Sequence, residues 1–219
     1  MFGLTEQVFL LSLYEKRRSI GISSNPAFHF ALAGAILLEL IFSGRIKLEE
    51  GKRIAMGDYE LSEDKRLDET LDEILDTSTH KRVTYWINFL SKRGRRNQRS
   101  LMKTMVIKRV LEEDKEYHWV IPFPENSRVG GSAKFQLKSK LRNCVLGSES
   151  ADQATKALLF LMSACNLLDF VFTQDEVKAA GAIIDLLVTQ EETEIDSVMV
   201  DIFQAINAAI DAVMPPAYK

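Results

Sequence analysis

The sequence predicts a mainly α protein: a single helical domain carrying short β-hairpins. Three observations lead there. Apolar residues recur at three- and four-residue spacing through most of the chain. Two near-continuous apolar stretches, Ala27 to Phe42 and Ala157 to Phe172, have the length of buried helices. Strand-like alternation is confined to short runs beside Gly and Pro.

Leu4, Val8 and Leu11 place one buried face on a first helix from Leu4 to Tyr14, followed by a polar loop from Ile20 to Asn25. Pro26 fits the first turn of the second helix, which Ser43-Gly44 stops. Arg45 to Met56 alternates around Glu50-Gly51 and reads as a β-hairpin. Leu67, Leu71, Ile74 and Leu75 mark an acidic third helix, and Val83, Trp86, Ile87 and Leu90 a fourth. A fifth runs from about Gln98 to Leu111. Tyr117 to Ile121 reads as a strand limited by Pro122 and Pro124, with turn residues from Asn126 to Gly131, so a second hairpin is expected at about 116–135. Helices are expected at Ala133–Leu146, Asp152–Phe172, Asp175–Thr189 and Asp196–Val213. Arg45-Ile46 with Glu49-Glu50 has an echo 64 residues later in Arg109-Val110 with Glu113-Asp114. A helix followed by a small hairpin is the arrangement of a winged helix, so both hairpins are read as winged-helix-like decorations.

Charge is sharply segregated along this chain of net charge −3. Residues 79–142 hold 16 Lys and Arg against five acids, whereas both flanking segments are acidic. No low-complexity tract or Gly/Ser linker divides the chain, so residues 1–219 are expected to form one domain with a basic middle at 79–142. Such segregation implies a large anionic partner, either a phospholipid surface or nucleic acid. The two long apolar stretches contain His29 and Glu39, or Asn166 and Asp169, and are too short and polar to span a hydrocarbon core of about 30 Å. Met1-Phe2-Gly3 leads into a helix without the basic and apolar regions of a leader. A cytoplasmic, peripherally membrane-associated protein is therefore expected. Cys144 and Cys165 show no CxxC spacing and read as buried thiols.

Catalytic signatures are scarce. His29, His80 and His118 lack metal-ligand spacing, and no phosphate loop or nucleophile elbow is present, so neither enzyme activity nor a metal or cofactor is expected. Glu39, inside an apolar helix, should be substantially buried and paired with Arg45 or a backbone donor. The strongest functional signal is Lys92-Arg93-Gly94-Arg95-Arg96-Asn97-Gln98-Arg99, five cations in eight residues at a junction of two helices. Arg forks and helix-terminal amides together suit phosphate oxygens. Arg93, Arg95, Arg96 and Arg99, with Gln98, are the candidate headgroup-binding residues. In a nucleic-acid reading the same arginines contact backbone phosphates, but Asn97 and Gln98 are thin support for base reading, so nucleic acid is the lesser alternative. A second candidate is the alternating stripe Tyr117, Trp119, Ile121 and Phe123, which forms core or else a hairpin for bilayer contact or self-association.

Leu4 to Leu11, the block Leu32 to Leu40 followed by Ser43-Gly44-Arg45-Ile46-Lys47-Leu48, Leu67-Asp68-Glu69, and Trp86-Ile87 ahead of the basic segment resemble the Golgi phosphoprotein 3 family over essentially the whole chain. The resemblance implies a helical domain with β-hairpins. It also implies a peripheral membrane protein that binds phosphatidylinositol 4-phosphate in a basic pocket, on the cytosolic face of the Golgi if the source is eukaryotic, and that self-associates or touches the bilayer through the hairpin. The family's pocket uses a Trp before the second helix, an Arg within it and two Arg three apart in the basic segment. Those positions fall on Ser24, Ala33, Arg95 and Gln98 here, so Arg95 alone matches and Arg99 is one residue from the second. The charged tail that precedes the domain in eukaryotic members is not expected here. The expectation is weak preference among anionic headgroups, unless Arg99 and Arg96 rebuild the site around Arg95.

Overall fold

The computed structural model describes residues 2–16, 19–22, 26–58, 62, 64–113, 120–122, 130–147, 150–190 and 193–213. The architecture is mainly α, as the apolar periodicity predicts. Its organising element is α2 (Ala27–Phe42), with thirteen of sixteen residues buried. The exceptions are His29, Glu39 and Phe42, so its two polar side chains sit where the helix meets something other than apolar core. Around α2 pack α1 (Leu4–Ser12), α4 (Val83–Lys92), α5 (Gly94–Ile107), α7 (Gln153–Ala164) and α9 (Glu194–Val213). The remaining helices are α3 (Lys65–Asp76), α6 (Gly130–Val145) and α8 (Gln174–Thr189).

Three antiparallel hairpins are described: β1 (Leu13–Lys16) with β2 (Ser19–Ile22), β3 (Ile46–Glu49) with β4 (Arg53–Met56), and β5 (Leu111–Glu113) with β6 (Val120–Pro122). Each follows a helix. The expected 45–56 hairpin is present, in the register Ile46↔Met56 and Glu49↔Arg53. Lys52 at its tip donates to Asp201 at 2.6 Å and to Gln204 at 3.0 Å, tying the hairpin to α9.

The other two hairpins differ from expectation. The first helix stops at Ser12 rather than Tyr14, and Ile20 to Ile22, expected as loop, lie in the strand Ser19–Ile22 paired with Leu13–Lys16. Strand is therefore not confined to the two expected sites. The third hairpin pairs Leu111–Glu113 with Val120–Pro122, upstream of the expected 116–135 position, while Gly130 and Gly131, read as turn residues, open α6. The shift has a local cause: α5 begins at Gly94 and ends at Ile107, not at Leu111. There Arg109 adopts φ 58° and Val110 N–H bonds back to Met105 O at 2.8 Å, which closes the helix and releases Leu111 into a strand. Gly44 (φ 73°) ends α2 in the same way, with Arg45 N–H on Leu40 O at 2.9 Å. The sequence echo thus coincides with a repeated helix, left-handed cap and hairpin.

Three further differences are local. The first helix is buried on nearly every side, not on one face, because α1 packs against α2, α5, α6 and α7. Leu75 is exposed at the end of α3, although Leu67, Leu71 and Ile74 are buried. The helix expected from Asp152 to Phe172 breaks after Ala164, where Asn166 takes φ 52° and a short 3-10 turn, Leu168–Phe170, follows. Trp86, Ile87, Val83 and Leu90 form the buried face of α4 as expected. Cys144 and Cys165 are buried thiols. Among the described residues no helix is long and apolar enough to cross a membrane.

Candidate functional site

α4 and α5 meet at a corner that Arg93 caps from both sides. Gly94 is required there. The His29 ring of α2 lies against its backbone, and a Cβ on Gly94 would sit 2.1 Å from His29 Cγ. The corner is thereby seated on the first turn of α2. It presents the N-terminus of α5, the positive end of its dipole, beside the first turn of α3.

Between α3 and α5 lies an open groove of about 650 Å³, with Arg93, Arg95, Arg96, Arg99, Lys65, Arg66, Lys92 and Lys103 in its walls and Glu69 as its acid. These cations divide into two groups. Arg93 donates to Glu73 of α3, and its guanidinium lies 4.4 Å above the Phe89 ring. Arg96 Nη2 contacts both oxygens of Glu69 at 2.9 Å, and Lys65 lies 3.8 Å from the same carboxylate. In contrast, Lys92, Arg95, Arg99 and Lys103 are exposed, and none is in an ion pair among the described residues. Arg95, Arg99 and Lys103 follow each other at four-residue spacing on one face of α5. Like charges at that spacing cost an isolated helix about 0.2–0.5 kcal/mol per pair, a cost that an anion across the groove removes.

Arg66 differs from all of these. It is buried in the first turn of α3, with Nε on Asp64 Oδ1 at 2.9 Å and Nη2 on Asp64 Oδ2, while Asp64 caps the helix by accepting from Arg66 N–H at 2.9 Å. Burial pushes the Asp64 carboxyl up, but the Arg66 bonds and charge outweigh it and hold the group below its ordinary value. Arg66 Nη1 is buried with no hydrogen-bond partner among the described residues. Neither Arg66 nor Lys65 stood out in the sequence, because one basic dipeptide at the start of an acidic helix carries no distinctive spacing.

An adjoining hollow of about 400 Å³ shares Lys65 and Ser100 with the groove and contains Glu6, Glu39, Asp64 and Lys108. Glu6 accepts from Lys108 Nζ at 2.6 and 2.7 Å. Glu39 Oε2 accepts from Thr5 N–H at 3.2 Å and from the Thr5 hydroxyl, so α2 supplies a cap for α1. The expected backbone donor is present. The alternative partner, Arg45, lies instead 3.8 Å from Asp68. Burial raises the Glu39 pKa against the lowering effect of the Thr5 bonds.

The remaining expected residues are placed as follows. Gln98 hydrogen-bonds His29. Ala33 is wholly buried in α2, so no side chain from that position enters the groove. Ser24, Tyr117, Trp119 and Phe123 lie outside the described residues, and Ile121 pairs with Glu112 between β6 and β5. Among the described residues no cluster of three or more His, Cys, Asp or Glu could hold a metal.

Burial lowers the pKa of His29 from its ordinary 6.5. The bond to Gln98 opposes the shift and the charge of Arg95 adds to it. The unfolded chain then takes up this proton before the folded one. Stability should therefore fall as pH drops through about 6.5 toward the lowered folded value, and should not fall further on this account below it. Urea unfolding above and below that pH will show the decline, and His29→Gln will flatten it; an unchanged slope in that variant would assign the pH response to other groups.

A family model described as Golgi phosphoprotein 3 (GPP34) matches residues 4–205, which covers every element from α1 into α9. The chain is also similar to vacuolar protein sorting-associated protein 74 of Schizosaccharomyces pombe, with 29% identity over 157 residues in a match that covers 63% of this chain. The match spans 46% of that relative, so the chain corresponds to about half of its length.

Proposed function

Because the chain belongs to the Golgi phosphoprotein 3 family, we propose that it is a peripheral membrane protein that holds anionic phospholipid headgroups in the groove between α3 and α5. The family is Golgi-associated, and the resemblance implies phosphatidylinositol 4-phosphate as the lipid. The observation that carries the reading is the row Arg95, Arg99 and Lys103 with neighbouring Lys92, four exposed cations without ion pairs among the described residues, on the wall of one groove. Each cation near an anionic leaflet contributes about 1 kcal/mol, so four contribute about 4 kcal/mol, roughly a thousandfold in affinity. That suffices for reversible attachment and is too little for permanent anchoring. Arg93 and Arg96, already matched by Glu73 and Glu69, contribute less.

Flotation with phosphatidylcholine vesicles containing phosphatidylserine tests the reading, with a duplex-DNA binding assay beside it. Binding to the vesicles should weaken steeply as salt rises and the Debye length falls from about 10 Å at 0.1 M to about 3 Å at 1 M. Binding that ignores salt, or that occurs to DNA and not to vesicles, would overturn the proposal.

A further inference from the structure

Arg95, Arg99 and Lys103 account for attraction to a charged surface, but not for the residue that ends their row. Ile107, four positions beyond Lys103 and the last residue of α5, is 80% exposed, more than any other large apolar side chain among the described residues. Single exposed apolar residues are common on protein surfaces. Ile107 differs in its setting: Lys103 precedes it by one turn, Lys108 and Arg109 follow it directly, and all three are exposed. The helix makes no use of it. α5 closes through the bond from Val110 N–H to Met105 O at 2.8 Å, and the apolar pair that accompanies such a cap, Met105 and Val110, is buried. An isoleucine in the last turn also lacks the favourable interaction with the helix dipole that a lysine or arginine would have there.

We propose that Ile107 is the point at which the protein enters the bilayer, with α5 against the leaflet, its cations among the headgroups and the Ile107 side chain in the acyl boundary beneath them. The inference rests on the headgroup reading above and adds to it the side chain that leaves water. Two arguments select a bilayer over a protein partner. The cations around the tip complement an anionic leaflet. One apolar side chain at the end of a row about 18 Å long is also far smaller than the roughly 800 Å² per partner that a stable protein interface buries. A bilayer sets no such minimum, and helices that lie on it bury their apolar side chains about 5–10 Å deep. Ile107 precedes the hairpin to which the family resemblance assigns bilayer contact, so it is a separate point of entry.

The test uses phosphatidylcholine vesicles containing phosphatidylserine. Ile107→Ser should bind them about tenfold more weakly than the wild type, near the lower end of what burying an isoleucine side chain yields. That loss should be equal at low and high salt, whereas the loss from Arg99→Gln should shrink as salt rises. Ile107→Leu should bind as the wild type does. Leu186→Ser, which removes an exposed apolar side chain from α8, should also bind normally. Normal binding by Ile107→Ser, or an equal loss in Leu186→Ser, overturns the inference and leaves the headgroup reading standing. So does an Ile107→Ser protein that melts well below the wild type, since Ile107 would then belong to the fold.

A second measurement is independent of the affinity. Ile107→Cys carrying a nitrobenzoxadiazole fluorophore should shift to the blue and brighten when the vesicles are added, beyond any change in wild type treated with the same reagent. Bound protein without that change overturns the inference alone. A change that follows protein concentration without vesicles assigns Ile107 to a second copy of the chain and overturns it too. Should the wild type bind no vesicles, the headgroup reading fails and this inference with it.

Discussion

Replacing Arg95, Arg99 and Lys103 together by Glu will release the protein from anionic vesicles while leaving its thermal unfolding in place. All three side chains are exposed, and none is in an ion pair among the described residues, so folding does not draw on them. The Arg95→Glu change places an acid in the first turn of α5, where the helix dipole favours one. The membrane term moves the other way. Three attractions of about 1 kcal/mol each become repulsions, so vesicle affinity should fall by at least about a hundredfold. Flotation and differential scanning calorimetry on the same preparation check both halves. Full flotation of a normally folded triple variant would move the membrane contact elsewhere.

Phe28→Ala will be the most damaging of the single core substitutions near the site. Phe28 is wholly buried in the first turn of α2, with its ring centroid 6.4 Å from that of Phe9 in α1 and 6.5 Å from that of His29. Truncation removes the contact that seats α1 on α2 and leaves a cavity beneath the corner. The cost is about 3–5 kcal/mol, which lowers Tm by on the order of 10 °C in a domain of this size. Calorimetry measures it, and a shift of only a degree or two would show that the surrounding helices close the space.

The helical frame was legible because burial is written into continuous apolar segments. α2 needs an apolar residue at almost every position, and its sequence has one. The basic corner was legible too, since five cations in eight residues leave a mark at any register. The first hairpin was not. Its described strands are four residues each, and Leu13-Tyr14 continues the apolar run of α1, so periodicity cannot separate strand from helix there. The start of α5 was hidden by Gly94, which reads as a turn residue until the His29 ring explains it by close approach. The division of the arginines into paired and unpaired also lay beyond the sequence. It depends on which turn of α3 faces which turn of α5.

The position of α2 also governs how the molecule can be made. Gly34 is packed against Leu161 of α7 and against Ile202 and Ile206 of α9, so the last helix closes the surface of the second. On a ribosome adding about 5–20 residues per second, α2 emerges on the order of ten seconds before its cover does. During that interval the most apolar segment of the chain has α1, α4, α5 and at last α7 to lean on, while the side that α9 covers stays open. Nascent chains stalled before α9 should thus be held by a chaperone until the final helix arrives.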